Sequence, residues 1–467
     1  MMNNITATTI NGNSVIYSPE EATVLEASDA FDDTNDITAT SINSGTLMGV
    51  NIVSTSAALE ADEIMNTGTD TIPASSKIDA NAMSLLAEQV DRINFSDLLD
   101  DSTLCTEDIL NIILASLSRN TVAHEVTLNS RPFLEDLIAT ERLETFMTAV
   151  GALPNLTRLF VQFSLQPGDL FAFPTSALTK ALAACGHRLE YLEVAWVHLS
   201  GTHEDFEELR QMLQNQCTGL VEVKFRNLCF SRHNDRCMET ILASLAKLPK
   251  LKELFLLDAN RILHGWTMSH IGGTRALRQL CQSTSLKTLC VMLPLSEVQI
   301  AAIAERLSNN STLEHLALFR CTISDLGCSA LADMLRINTK LQILRLDDNL
   351  IGDTGCIDLA KALHTNKTLR ILDIKGNKRI SETGFASLSR MLEFENYAIM
   401  GLDSDASNDV GAQIDFFIEL NEQARKVFLS HCDNRDVFVV CLHSFENHLN
   451  ALFYYLRANP TMCQLDT

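Results

Sequence analysis

Positive charge is what this 467-residue sequence most lacks: 36 Lys and Arg stand against 59 Asp and Glu, for a formal charge of −23 and a pI near 4.9. Nucleic acid and anionic membrane surfaces select basic patches, so this balance argues against both and favours a basic partner. Long apolar runs are lacking as well. No stretch approaches the roughly 18 uninterrupted apolar residues of a membrane span, so no transmembrane helix is expected. From Met1 to Tyr17 there is neither a basic start nor an apolar core, which speaks against a signal peptide. The 13 cysteines include no C-x-x-C pair. Reduced thiols in a cytoplasmic or nuclear protein are therefore expected, not a disulfide framework.

Catalytic signatures are missing too. G-x-x-x-x-G-K-[ST], G-x-G-x-x-G, G-x-S-x-G and H-E-x-x-H do not occur, and no Ser or Cys nucleophile stands beside a base at readable spacing. Asp403, Asp405, Ser407 and Asp409 alternate oxygens like the start of a calcium loop. However, the glycine and glutamate places of an EF-hand are filled by Asn408 and Ile414. His431, Cys432, Cys441, His443 and His448 fit no standard zinc spacing. Neither enzyme activity, nor a cofactor, nor a metal is expected.

What the chain does have is a repeat. Leu313-x-x-Leu316-x-Leu318-x-x-Cys321-x-Ile323 returns after 28 residues as Leu341-x-x-Leu344-x-Leu346-x-x-Asn349-x-Ile351, and after another 28 as Leu369-x-x-Leu372-x-Ile374-x-x-Asn377. Each unit continues in step through Asp325/Gly327, Asp353/Gly355 and Glu382/Gly384, and then through Leu331/Leu335, Leu359/Leu363 and Leu388/Leu392. The L-x-L segment reads as a short strand whose alternate side chains point inward. Leucines four apart share one face of a helix. One strand and one helix cannot bury that set alone, but stacked neighbours can. Asn349 and Asn377 are expected to turn inward and bond the backbone where the chain leaves the strand, with Cys321 as a smaller substitute. The acidic residue two before each glycine falls at a helix N-terminus, where negative charge is favourable.

The unit from Leu341 to Thr368, with Gly355-Cys356 and Leu359-Ala-Lys-Ala-Leu363, resembles the 28-residue repeat of ribonuclease-inhibitor-like leucine-rich-repeat proteins. That resemblance implies an α/β solenoid, a horseshoe with a parallel sheet on its concave side and helices on its convex side. It also implies a non-catalytic scaffold or regulator that binds another protein. The same repeat type serves GTPase-activating proteins of the Ran-regulator kind and substrate-recognition subunits of ubiquitin ligases, which remain the alternatives. The sequence leaves the partner's identity and the oligomeric state open.

Around the array, residues 1–80 hold twelve acidic residues and one Lys. Such a stretch buries too little apolar surface to offset its ordering entropy, so a disordered tail is expected. Helical spacing in 81–121 (Ile109, Ile112, Ile113, Leu117) suggests an N-terminal cap. The array follows over 122–404, and a helical, aromatic C-terminal cap over 405–467. Earlier strand starts fall at Leu156, Leu189, Leu220, Leu251 and Leu286, at spacings of 33, 31, 31 and 35. The longest unit carries an expected rim loop over Asn260–Gly273. Outward positions of successive strands then list the concave floor. Its ends are charged and its middle is apolar. Leu257, Met292 and Phe319 share one column, with Phe255 beside them. The expected partner-binding residues are Phe160, Tyr191, Phe255, Leu257, Met292, His315, Phe319 and Arg345.

Overall fold

In the computed structural model the chain forms two units, Met1–Ile72 and Pro73–Thr467. The described residues are 9–10, 13–14, 90–98, 107–163, 171–230, 237–258 and 270–422. In the first unit β1 (Thr9–Ile10) and β2 (Asn13–Ser14) pair antiparallel, with Ile10 opposite Asn13. The disorder expected of residues 1–80 otherwise falls outside the described residues.

The second unit carries β3 (Arg92–Asn94), β4 (Glu125–Leu128), β5 (Arg158–Gln162), β6 (Phe171–Pro174), β7 (Tyr191–Ala195), β8 (Val197–Ser200) and β9 (Glu222–Arg226). It continues with β10 (Cys229–Phe230), β11 (Glu253–Leu257), β12 (Thr288–Met292), β13 (His315–Leu318), β14 (Ile343–Arg345), β15 (Ile371–Asp373) and β16 (Gly401–Asp403). Eleven of these make one parallel sheet in chain order, from β3 to β16; β6, β8 and β10 make a small separate sheet. A crossover helix follows each late strand, as in Asp325–Ile337, Asp353–Thr365 and Glu382–Phe394.

The register explains the burial. Leu316, Leu344 and Leu372 are direct neighbours on β13, β14 and β15, and all three are fully buried. Helix positions Leu331, Leu359 and Leu388 close the same core from the other side. Each such leucine contributes roughly 1.5–3 kcal/mol.

Polar ladders stitch the units together. Asn349 donates to the carbonyls of Leu318 (2.7 Å) and Leu346 (2.9 Å) and accepts from the amides of Cys321 (2.9 Å) and Ile323 (3.1 Å). Asn377 repeats this toward Leu346 and Ile374. Cys321 substitutes with Sγ contacts to the carbonyls of Val291, at 3.3 Å, and Phe319, at 3.5 Å. A second ladder runs where the helices end. Asn366 donates to the carbonyls of Leu335 (2.8 Å) and Asn338 (3.0 Å) and accepts from the amides of Thr368 and Leu369. Asn338 and Asn396 do the same in their own units.

The repeated acids reach further than their own helices. Asp325 Oδ1 accepts from the amides of Gly352 (2.7 Å) and Gly355 (3.0 Å), at the start of the next repeat's helix, where Gly352 supplies no side-chain cap. Asp353 treats Ser381 and Gly384 alike. A Cβ on Gly355 would lie 2.8 Å from Asp325 Oδ1, so the close approach of that carboxylate requires glycine.

Three expectations need correction or limits. The stretch 81–121, read as helical, holds strand β3 beside helix Glu107–Arg119; three residues are too few for an alternation to be legible. Gly272 and Gly273, assigned to a rim loop, lie in helix His270–Leu280. Burial of Ala276, Leu277 and Leu280 outweighs the weak helix propensity of the glycines. The rest of that loop, 259–269, lies outside the described residues. At the C-terminal end, helix Asn408–Glu422 buries Ile414, Phe417 and Leu420. Phe428, Phe438, Phe445, Phe453, Tyr454 and Tyr455 fall outside the described residues, as do the histidines and cysteines weighed for zinc. Among the described residues no helix is long and apolar enough to cross a membrane.

Candidate binding face of the sheet

Side chains that alternate with the buried leucines form the open face of the large sheet, away from the helices. Strand pairing turns them into rows. Phe160, Glu193, Lys224, Phe255, Cys290, Ala317, Arg345 and Asp373 follow one another across eight strands. Arg158, Tyr191, Glu222, Glu253, Thr288, His315 and Ile343 make the row before it, and Ala195, Arg226, Leu257 and Met292 the row after. Seven of the eight expected site residues therefore lie in these rows, and Phe319 follows the end of β13.

Toward β5 that surface is a lattice of rings and cations. The Phe160 and Tyr191 rings sit 4.7 Å apart. The Arg158 guanidinium lies 4.1 Å from the Tyr191 centroid, and the Lys224 ammonium lies 5.3 Å from Tyr191 and 4.9 Å from Phe255. Each cation also has a carboxylate: Arg158 with Glu125 (3.1 Å), Lys224 with Glu222 (2.6 Å) and Arg226 with Glu193 (3.1 Å). Glu193 is buried and accepts the Tyr191 hydroxyl. Burial, then the Glu193 charge, pushes the tyrosine hydroxyl well above its ordinary range. Glu193, Lys224 and Arg226 were not among the expected binding residues; their outward strand positions placed them on this face without marking them as its framework.

The middle is apolar. Leu257 and Met292 face each other in register, and Phe319 follows Leu318, which faces Val291. Phe255, Leu257 and Phe319 are half-buried. Met292 and Tyr191, both expected to lie open, are only 9% and 4% exposed, and Cys290 only 8%. Strands about 5 Å apart let neighbouring side chains cover one another. His315 is half-buried too; burial holds its imidazole below its ordinary value, against the pull of Glu314.

Toward β15 carboxylates take over. Arg345 meets Asp373 Oδ2 at 3.0 Å and Asp347 Oδ1 at 3.5 Å. Burial raises both acids from their ordinary value, Asp347 to about 6. Among the described residues no three His, Cys, Asp or Glu side chains are grouped as a metal site.

A profile of the leucine-rich repeat matches residues 309–332, 338–360 and 365–389. No curated protein matches the sequence. Among solved structures, the chain is similar to actin-binding site 2 of leiomodin-1, with 19% identity over 36% of this chain and 99% of that one, at a TM-score of 0.31. It is similar to the Rad7–Elc1 complex of yeast, with 17% identity over 70% of this chain and 72% of that one, at 0.42. An internalin of Listeria monocytogenes gives 15% identity over 71% and 86%, at 0.34. Likenesses this remote leave the assignment to the matched repeats and the strand register. On those grounds residues 309–389 match the leucine-rich repeat, and the parallel register carries the same stacking of strand and helix through the large sheet.

Proposed function

We propose that the chain is a non-catalytic scaffold or regulator that binds a protein partner on the open face of its sheet, in the cytoplasm or nucleus. One observation carries this reading. Phe255, Leu257 and Phe319 reach the surface around Met292 as one apolar strip across three adjacent strands. Apolar side chains gathered on a surface mark interfaces, and aromatic anchors carry much of their energy. His315 and Arg345 border the strip, and Phe160, packed on the buried Tyr191, extends the face beyond Lys224. The net charge of −23 favours a basic partner. Cys185, Cys217, Cys281, Cys290, Cys321, Cys328 and Cys356 are buried free thiols, which suits a reducing compartment.

Affinity capture with the full chain, followed by a quantified binding measurement, tests the reading. Phe255→Ala with Phe319→Ala should weaken the captured partner by more than about 2 kcal/mol while circular dichroism stays unchanged. Undiminished affinity would remove the face from consideration. Stimulated GTP hydrolysis in a direct assay would instead move the protein to a catalytic regulator.

A further inference from the structure

Near β14 and β15 the open face holds two largely buried carboxylates, one of which, Asp373, also accepts from the Lys375 amide at 3.1 Å. One guanidinium, that of Arg345, serves both Asp373 and Asp347, at 3.0 and 3.5 Å. Both carboxylates are largely out of water, with side chains 7% and 19% exposed. Asp347 Oδ1 is buried and has no hydrogen-bond donor. Asp403 stands directly opposite Asp373 in the register and adds a third acid. The lattice at the other end differs, since Arg158, Lys224 and Arg226 each hold a carboxylate of their own. A buried carboxylate short of partners is a standing cost, and it is relieved by an incoming cation.

Position decides what that cation is attached to. Ala317 pairs with Arg345, and past the strand ends the Arg320 amide donates to the Asp347 carbonyl at 3.1 Å, so the segments that carry Phe319 and Asp347 stay adjacent. The apolar strip thus runs straight into the unmet acid. A polypeptide segment that seats an apolar side chain on Phe255 and Phe319 carries its neighbouring side chain over Asp347 and Asp373.

We infer that the partner presents an arginine or lysine to Asp347 and Asp373, next to an apolar side chain seated on Phe255 and Phe319. This rests on the open face being the docking face, and it fixes the partner's chemistry at one place on it. The acidity of the whole chain steers such a segment inward.

The probe is a displayed random library of peptides about twelve residues long, selected in parallel on the full chain, on its Asp347→Asn variant and on Phe255→Ala with Phe319→Ala. Peptides retained by the natural chain should carry Arg or Lys within a few residues of an aliphatic or aromatic side chain. Their affinity should fall about tenfold or more on Asp347→Asn. Replacing the peptide's cation by Ala should cause a similar fall, and the two changes should not add. Peptides that depend on Phe255 and Phe319 yet lack a cation, or bind Asp347→Asn equally well, would overturn the pairing and leave the face standing. If no selected peptide depends on Phe255 and Phe319, the face itself is lost along with the pairing.

Discussion

Asp347 titrates differently in the folded and the unfolded chain, and the difference is measurable. Burial and the Asp373 charge lift its carboxyl from 3.8 to about 6, against the lowering by Arg345. The folded chain therefore holds that proton more tightly than the unfolded one. The resulting stability is complete below pH 3.8 and is lost as the pH rises through about 6. Asp347→Asn removes the charge, so at pH 7.5 it should stabilise the array by roughly 1–2 kcal/mol, at about 1.4 kcal/mol per pKa unit less some screening by water. Melting curves taken from pH 4 to pH 8 check this. A gain of equal size at pH 4 would mean that ionisation is not its source. The position of Asp347 was legible, since period-two alternation puts it outward. Its environment was not, because the burial of Asp347, Asp373 and Met292 comes from side chains on neighbouring strands that alternation along one strand cannot show.

Among the elements, the inward turn of Asn349 and Asn377 was readable because both interrupt an apolar run. The second ladder was equally periodic, with Asn310, Asn338 and Asn366 each 28 apart. It stayed hidden because an asparagine after a helix reads as an ordinary loop residue. The acidic landmark was placed at a helix start, yet its hydrogen bonds go to the following helix. Asp325→Ala should therefore destabilise by about 1–2 kcal/mol, and hydrogen exchange should quicken at the amides of Gly352 and Gly355. Protection lost only around Asp325 itself would contradict this. Strands β6 and β8 were not read at all. Phe171, Phe173, Val197 and Leu199 do alternate and are buried, but they sit inside units already stretched to 31 and 33 residues.

Across the whole array, the leucine interior is shared, so damage to one unit should spread. Leu344→Asp puts an unpaired charge into a fully buried site. The cost should reach about 4 kcal/mol or more, with β13 and β15 losing exchange protection together with β14. A melting temperature that hardly moved would mean that the leucines do not carry the fold. The regular second half of the array made its architecture plain from sequence. Phe319 could be placed by the same reading, whereas the sharing of Arg345 by two acids follows from contacts between units that a period does not encode.

The forward reach of Asp325 and Asp353 gives the stack a direction. The helices that begin at Asp353 and Glu382 are each met by the acid of the unit before, so shortening the array from its C-terminal side leaves an acid idle in water, at little cost. Shortening it from the N-terminal side strips the next helix of the oxygen that completes its first turn. Two truncations of equal length are therefore unequal injuries, and a chain that emerges N-terminus first always has the finishing group made before the helix that needs it.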